Sequence, residues 1–169
     1  MENIIVRKIK EEDIPSVVDI QMNSWKTAYR GIIDDNYLDT MNKDEIMERR
    51  KRSYRQNCFI VAELNKEVVG FCWYADNNRF TPNEIDIDCE LIALYVRPDL
   101  KYKGIGTKLF HFVIHEFKNI NKTNMVVWCL KNNEPSKRFY TKMGGKVVKE
   151  KIVEIGGKNY SEVGFLYNI

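Results

Sequence analysis

The sequence predicts a mixed α/β fold in which a central twisted sheet of mixed strand direction is flanked by helices. Apolar runs of strand length alternate with segments whose apolar residues recur at helical spacing. At the centre, residues 91–118 read as a strand, a glycine-bearing loop and a helix, and the chain closes with two strand-like runs around Gly156 and Gly157. A chain of 169 residues favours a single domain over 1–169.

The N-terminal half is predicted to contain a strand, three helices and a hairpin. The first long helix has apolar residues at helical spacing from Ile14 to Tyr29, with Asp13 as its candidate cap and Pro15 in its first turn. In chain order, the predicted elements are a strand over 3–9, helices over 14–29, 35–41 and 43–55, and hairpin strands over 59–64 and 68–74.

The C-terminal half is predicted to alternate strands and helices before the closing hairpin. The predicted elements are a strand over 91–96, a helix over 105–118, a strand over 125–130, a helix over 134–142, and strands over 146–154 and 160–167. The buried side of the helix over 105–118 is predicted to carry Leu109, Phe112, Val113 and Phe117. The polar, acidic residues 76–88 form either a plain surface loop or part of a substrate wall.

Composition excludes several classes of protein. The net charge of +3, from 27 basic and 24 acidic residues, is too balanced to indicate nucleic-acid binding. A membrane span is not predicted, because no apolar run approaches about 20 residues. The N-terminus lacks the pattern of a signal peptide, so a cytoplasmic protein is expected.

Cysteine and histidine spacing argues against a metal site. The four cysteines, Cys58, Cys72, Cys89 and Cys129, form no C-x-x-C pair and are expected to be reduced core thiols. His111 and His115 are four residues apart, but Phe112 stands where a zinc protease motif requires glutamate, so surface positions are expected.

Residues 94–109 carry the most specific functional signal. An apolar strand is followed by a basic turn with Gly104 and Gly106, and then by a helix. A helix N-terminus has free N–H groups that favour an anion, and glycines let the backbone approach a ligand. Lys101 and Lys103 add positive charge, so the segment predicts a cradle for phosphate or diphosphate.

Two common nucleotide-binding motifs do not fit this segment. The dinucleotide pattern G-x-G-x-x-G, started at Gly104, meets Leu109 at its third glycine. The P-loop pattern requires glycine, lysine and then serine or threonine, whereas Gly106 precedes Thr107 and Lys108 in the reverse order.

Three blocks of the chain resemble the GNAT family of N-acetyltransferases. Lys101-x-x-Gly104-x-Gly106 is similar to its acetyl-CoA signature, with lysine where arginine or glutamine is usual. Residues 90–96 resemble the strand that leads into that signature. A second segment, N-x-x-[AS]-x-x-[FL]-Y-x-x-x-G-[FW], is matched at Asn133, Ser136, Phe139, Tyr140 and Gly144, although Gly145 stands where an aromatic residue is usual. The resemblance covers 59–150 well and the first third more loosely.

The resemblance implies the GNAT fold and acetyl-CoA as the co-substrate, with no metal. The backbone of residues 94–96 would pair with the pantetheine arm, with the Leu94 N–H polarising the acetyl carbonyl, and 102–107 would hold the diphosphate. The residues implied to bind acetyl-CoA are Leu94, Tyr95, Val96, Lys101, Tyr102, Lys103, Gly104, Ile105, Gly106, Thr107, Asn133, Ser136 and Tyr140. Asn133 is equally well explained as a helix N-cap.

Two residues are implied to be catalytic. Tyr140 matches the family tyrosine that protonates the leaving thiolate, and the alternative is an aromatic side chain that only packs in the core. Glu90 is the candidate general base, with Asp86 and Asp88 beside it forming an acidic entrance for a cationic amine; the alternative is a solvated strand end.

The acceptor side is read from residues 24–38, which resemble a segment that overhangs the acceptor site in many bacterial members. Trp25, Tyr29, Asp34 and Tyr37 are the candidate acceptor-binding residues, and the alternative for Trp25 and Tyr29 is a place in the core.

These observations predict transfer of an acetyl group from acetyl-CoA to a primary amine of a small molecule or peptide, by direct attack in a ternary complex. One alternative is a non-catalytic acyl-CoA-binding sensor on the same fold. The other is a nucleic-acid partner of the basic cluster Arg49–Arg52, which the charge balance disfavours. Neither a nucleic acid nor a membrane is expected as partner, and the resemblance implies that a homodimer is a common state.

Overall fold

A computed structural model of the chain describes residues 3–55, 58–77, 87–101 and 103–169. The strands described are β1 (Ile4–Lys8), β2 (Cys58–Leu64), β3 (Glu67–Ala75), β4 (Cys89–Val96), β5 (Asn124–Leu130), β6 (Lys146–Ile155) and β7 (Lys158–Asn168). The α-helices described are α1 (Ile14–Ala28), α2 (Asp35–Asp39), α3 (Lys43–Ser53), α4 (Ile105–Asn119) and α5 (Glu134–Lys142). Short 3-10 turns occupy Glu11–Asp13 and Pro98–Leu100.

The strands form one mixed sheet in the order β1-β2-β3-β4-β5-β7-β6. Neighbouring strands are antiparallel except β4 and β5, which are parallel. A parallel pair needs a crossover connection, and α4 supplies it. The predicted mixed α/β fold, with a central mixed sheet flanked by helices, is confirmed.

The parallel pairing of β4 with β5 is short. It runs from Cys89 opposite Met125 to Leu91 opposite Val127. A bulge falls at the same place, because Tyr74 of β3 pairs with Leu91 while Trp73 pairs with Ala93, which leaves Ile92 as the extra residue. A bulge bends its strand and increases the local twist. The two central strands therefore diverge beyond Leu91 and leave a gap between them.

Each face of the sheet carries its own apolar core. Leu109, Val113 and Phe117 of α4 pack with Val127 and Phe165 on one face, and all are buried. On the opposite face, the α1 residues Val17 and Ile20 pack against aromatic and branched side chains of β2 and β3, namely Phe59, Val61 and Phe71. Burying each such side chain contributes about 1.5–3 kcal/mol, so both helices are held against the sheet by their apolar faces.

The structure corrects three local expectations. Asp13 precedes α1 but does not cap it, because its carboxylate accepts the Lys10 N–H at 2.7 Å and both terminal nitrogens of Arg7. Cys58 is exposed, whereas Cys72, Cys89 and Cys129 are buried as expected, and all four are free thiols. In α4 the buried aromatic residue beside Leu109 is Phe110, while the predicted Phe112 is only half-buried.

Most other elements begin and end close to their predicted bounds. The hairpin turn between β2 and β3 uses Asn65 and Lys66 at positive φ, 52° and 68°, without a glycine. His111 and His115 are exposed on α4, as expected. None of the helices within the described ranges has the length and apolar character that a membrane crossing requires. The acidic connection 76–88 lies mostly outside the described residues.

Candidate active site

The gap between β4 and β5 opens into a cavity of about 590 Å³. Its wall is built from α1, the open half of β4, the loop and first turn of α4, the end of β5, and α5. The cavity lies at the carboxyl ends of two parallel strands, where open α/β sheets place their ligands.

The open edge of β4 presents backbone hydrogen-bonding groups to this gap. The Arg97 N–H donates to the Val69 carbonyl at 2.8 Å, on the β3 side. Because successive residues of a strand direct their N–H groups to opposite sides, those of Leu94 and Val96 face the gap. The Ser24 hydroxyl approaches the Val96 carbonyl from that side, at 3.4 Å. Such groups need a partner, so the gap suits an extended ligand that pairs as a strand does.

The backbone of Tyr95 faces β3 instead. A Cβ on Gly70 of β3 would lie 3.0 Å from the Tyr95 carbonyl oxygen, so this carbonyl points toward β3. Tyr95 is nevertheless among the residues that line the cavity.

The N-terminus of α4 faces the same cavity. Gly104 has φ of +80° at the helix N-cap, a left-handed conformation that glycine adopts without strain. A Cβ on Gly106 would lie 3.6 Å from Leu94 Cδ2 and from the Phe139 ring, so this position borders the gap itself. Lys101 and the Gly104–Thr107 turn line the cavity, whereas Lys103 is exposed outside the lining. Tyr102 lies outside the described residues.

Asn133 and Ser136 lie at the start of α5, on the cavity wall. The Asn133 side chain accepts the Ser136 N–H at 3.3 Å and is only 4% exposed. The helix-capping interpretation of Asn133 is thus the one that the hydrogen bonds support. The side-chain oxygen of Asn133 is thus bonded within the helix, and the residue also borders the cavity.

Tyr140 projects from α5 into the cavity wall and is 7% exposed. Its ring packs against Phe139 and Phe165 at centroid distances of 5.4 and 5.7 Å. The hydroxyl makes no hydrogen bond within the described part of the chain. Burial raises the pKa of Tyr140 well above its ordinary value, and nearby thiol and phenol groups add to the effect. The hydroxyl is therefore protonated at neutral pH and available as a donor.

The packing of Tyr167 of β7 accounts for the glycine at position 145, where the family usually has an aromatic residue. A Cβ at Gly145 would lie 2.6 Å from the Tyr167 ring and hydroxyl. The Tyr167 hydroxyl donates to the Tyr140 carbonyl at 2.7 Å. An aromatic side chain from β7 therefore occupies the space beside α5, and glycine at 145 leaves room for it.

Glu90 is buried at the start of β4, outside the cavity lining, and is 1% exposed. It pairs with Ala75 on one side and Val126 on the other, two residues before the cavity-lining Ile92. The expected alternative of a solvated strand end is therefore wrong.

Of the two acidic residues expected beside Glu90 at the entrance, the structure describes only Asp88, and its carboxylate is used within the sheet. Asp88 accepts the N–H groups of Thr123 and Asn124, each at 3.0 Å, and so joins the starts of β4 and β5. Partial burial opposes the ionisation of Asp88, but these N–H donors outweigh it and lower its pKa. Asp86 lies outside the described residues.

Tyr29, of the four candidate acceptor residues, lies on the cavity wall. Its hydroxyl is 3.3 Å from that of Tyr95, which also accepts the Trp25 indole N–H at 2.9 Å, so Trp25 stands behind the wall. Asp34 caps α2 by accepting the Tyr37 N–H and pairs with Lys158.

The Tyr37 ring packs against Gly156 in the β6–β7 turn. Asp34 and Tyr37 therefore lie outside the cavity lining.

Several lining residues had no signal in the sequence. Ile92 faces the cavity because of the β4 bulge, and Trp128 because β5 diverges there. The Trp128 indole N–H is buried and has no acceptor within the described ranges. Both positions looked like ordinary residues of buried strands, and only the pairing register reveals them.

Comparisons with known proteins agree with this geometry. The pattern described as "Acetyltransferase (GNAT) family" matches residues 18–145. An uncharacterised N-acetyltransferase of Bacillus subtilis, YuaI, is 29% identical over 161 residues, covering 95% of this chain and 91% of that protein. The spermidine N(1)-acetyltransferase of Thermoplasma acidophilum is 26% identical over 152 residues, covering 86% of this chain and 89% of that protein.

Solved structures show the same fold. The PaiA N-acetyltransferase of Thermoplasma acidophilum, in complex with coenzyme A, superimposes with a TM-score of 0.76 at 21% identity and covers 99% of both chains. YncA of Salmonella typhimurium, a putative acetyltransferase with its cofactor acetyl-CoA, gives 0.70 at 20% identity, covering 98% of this chain and 93% of that one. The sheet with its divergent central strands is thus the GNAT fold, and the chain belongs to the GNAT family as an N-acetyltransferase.

Proposed function

We propose that the protein transfers an acetyl group from acetyl-CoA to a primary amine of a small molecule or peptide, by direct attack in a ternary complex. The observation that carries the proposal is the open edge of β4, which presents the Leu94 and Val96 N–H groups beside the N-terminus of α4. Two solved structures of the same fold are described with coenzyme A or acetyl-CoA.

The chain would hold acetyl-CoA along this edge. The pantetheine arm carries amide groups and so can pair with Leu94 and Val96 as an added strand. The diphosphate would bind the free N–H groups of the Gly104–Thr107 turn, with Lys101 adding charge. Lys103 and Tyr102 belong to this proposal on sequence grounds, and Asn133 and Ser136 would border the arm from α5.

The amine must be neutral to attack. An alkylamine has a pKa of about 10.4, so only about one molecule in 2,500 is neutral at pH 7, which corresponds to roughly 4–5 kcal/mol. We propose Glu90 as the base that collects the proton. Because Glu90 is buried outside the cavity lining, it would act through an intervening water rather than by direct contact.

Two donors would assist the transfer. The Leu94 N–H would bond to the acetyl oxygen, where negative charge develops as the amine adds to the carbonyl. The Tyr140 hydroxyl would donate its proton to the sulfur as the carbon–sulfur bond breaks. The raised pKa of Tyr140 keeps that proton in place at neutral pH. The phenolate left by the transfer is a stronger base than the thiolate, so it regains a proton from solvent before the next turnover.

The chain would work as one domain over 1–169 in the cytoplasm, and a homodimer is compatible with this arrangement. Thermal unfolding with acetyl-CoA, CoA or NADH tests the cofactor. A ligand at 100 times its Kd should add about 2.7 kcal/mol, and only the first two should act. A free-thiol assay across a panel of amines then tests transfer. Binding without turnover would favour the non-catalytic sensor, and absence of binding would refute both.

A further inference from the structure

An ammonium, a carboxylate and an indole ring meet on the sheet face that carries α1. The Lys151 Nζ of β6 lies 3.5 Å from Glu162 Oε2 of β7 and 4.1 Å from the centroid of the Trp128 ring of β5. Pairing register brings them together, since Lys151 is opposite Glu162. Gly164, opposite Trp128, makes room for the indole, because a Cβ there would lie 2.9 Å from its ring.

This group of three residues adjoins the proposed active site. Trp128 is part of the cavity wall. Burial is the main cause of the raised pKa of both Tyr29 and Cys129, and the charge of Glu162 adds to it in each case. Tyr29 and Cys129 also line the cavity, whereas Lys151 and Glu162 lie just outside its lining, with Lys151 over the Trp128 ring and Glu162 beside Lys151.

The Lys151–Glu162 pair is more buried than an ordinary surface ion pair. The two side chains are 21% and 18% exposed, whereas the neighbouring pair Lys131–Glu150 is 50% and 52% exposed. Burial raises the pKa of Glu162 even though the Lys151 charge lowers it. A distance of 3.5 Å also exceeds the roughly 2.7–2.9 Å of a strong charge-assisted bond. The ion pair is therefore longer than a strong one and lies in a place where desolvation is costly.

A primary ammonium on an indole face beside a carboxylate is how proteins recognise alkylammonium ligands. Here the protein's own lysine fills such a position. Lys151 stands on β6, the edge strand of the sheet, and its four-carbon stem is flexible enough to carry the ammonium out to solvent. An incoming amine of the same chemistry would find the same two partners.

We propose that Glu162 and Trp128 bind an alkylammonium group of the acceptor in exchange for the Lys151 ammonium, and that they thereby select cationic amines such as diamines over amino acids. The inference rests on the proposed acetyl transfer and deepens it by naming the acceptor class. The positive end of a diamine would be bound by Glu162, while the carboxylate of an amino acid of equal length would be repelled by it.

Three four-carbon amines test the selection: putrescine with a second ammonium, n-butylamine with none, and γ-aminobutyrate with a carboxylate. In the wild type, kcat/KM should fall in that order. In Glu162→Gln the preference for putrescine over γ-aminobutyrate should fall about tenfold or more, through KM, because a hydrogen-bonded charge is lost. Acetyl-CoA affinity should stay unchanged. Glu150→Gln, which removes the exposed carboxylate of the neighbouring pair, is the matched control and should keep the wild-type preference.

A second variant should strengthen putrescine binding rather than weaken it. Lys151→Met keeps an unbranched apolar side chain over Trp128 but removes the competing ammonium, so the KM for putrescine should fall several-fold. An unchanged preference in Glu162→Gln, or a higher putrescine KM in Lys151→Met, would overturn the inference while leaving acetyl transfer intact.

Equilibrium binding separates the inference from the proposed function when turnover is low. With CoA bound, putrescine should raise the unfolding temperature of the wild type and of Lys151→Met, but not of Glu162→Gln. If CoA stabilises the wild type and putrescine adds nothing, the inference is wrong and the cofactor site stands. If acetyl-CoA itself has no effect, the proposed function is what has failed.

Discussion

Leu91 of β4 and Val127 of β5 form the last paired position between the two central strands. One residue later the bulge at Ile92 turns the remainder of β4 away. The N–H groups of Leu94 and Val96 therefore face a gap next to the N-terminus of α4, where an extended and anionic ligand would meet both kinds of donor.

Replacing Tyr140 with phenylalanine should lower kcat by about 10²–10⁴-fold while changing acetyl-CoA affinity little, because only the hydroxyl proton is lost. The ring contacts with Phe139 and Phe165 are kept. Release of free thiol measures turnover, and calorimetry measures binding. Tyr74→Phe is the control, since Tyr74 is also buried but its hydroxyl faces Glu116 at 3.4 Å. Unchanged turnover in Tyr140→Phe would remove the proposed acid.

Gly106→Ala should raise stability and weaken acetyl-CoA binding at the same time. The added methyl group makes ordinary contacts at 3.6 Å with Leu94 and Phe139, and alanine favours a helix over glycine by up to about 1 kcal/mol. The same methyl group narrows the gap beside β4. Thermal unfolding and calorimetry measure the two effects. Wild-type affinity would mean that the arm of acetyl-CoA takes another path.

Gly104→Ala is the control for Gly106→Ala, and it should lower the stability of the fold rather than raise it. Nothing lies within 4 Å of its Cβ position, but φ is +80° there, so alanine should cost about 1–2 kcal/mol without filling the gap.

Glu90→Gln should reduce kcat at neutral pH and leave acetyl-CoA binding intact, because the substitution keeps the shape of a residue that is 1% exposed and removes its proton acceptor. Turnover should recover in part as the pH rises toward the pKa of the amine, since more acceptor is then already neutral. A pH–rate profile of both proteins decides the matter. Equal rates at neutral pH would exclude Glu90 and favour deprotonation by solvent.

Asp13→Asn should destabilise the fold by up to about 3 kcal/mol at pH 7, since Arg7 loses its buried partner and keeps only the more exposed Glu63. Burial opposes the ionisation of Asp13, but Arg7 and the Lys10 N–H outweigh it and lower its pKa. The pKa of Asp13 is lower in the folded protein than in the unfolded chain, where an aspartate has a pKa of about 3.9. The Asp13 charge therefore stabilises the fold at pH values above about 3.9, and this stabilisation is lost as the pH falls through the pKa of the folded state.

The difference between wild type and Asp13→Asn should therefore shrink in acid, and urea unfolding over a pH series measures it. Asp99→Asn serves as the control, because Asp99 is 62% exposed in its pair with Arg97 and should change stability by less than about 1 kcal/mol. A constant difference down to low pH would show that the Asp13 charge is not what stabilises this corner.

The central strand, glycine turn and helix were predictable because their signals are local. Gly104 marks a left-handed N-cap, and the apolar face of α4 repeats at helical spacing. The role of Asp13 could not be predicted in this way. Its carboxylate accepts hydrogen bonds from Arg7 on β1 and so does not cap the helix.

The gap and the acceptor wall depend on register, which a single sequence does not encode locally. The bulge at Ile92 has no glycine or proline to announce it. Glu162 and Lys151 come together only because β6 and β7 pair in one particular alignment, and an alternating polar strand is compatible with others. The role of Asp88 in joining two strand starts likewise depends on Thr123 and Asn124, which are distant in sequence.

The missing pairing partner along β4 makes this sheet incomplete by itself. A bound acetyl-CoA would act as a substitute strand, so part of the free energy that stabilises the folded sheet would come from the ligand rather than from the chain. Amide exchange at Leu94 and Val96 should then slow on binding, while that of α3, remote from the gap, should change little. A cell with abundant acetyl-CoA would thus hold this protein in a more protease-resistant form than a starved one.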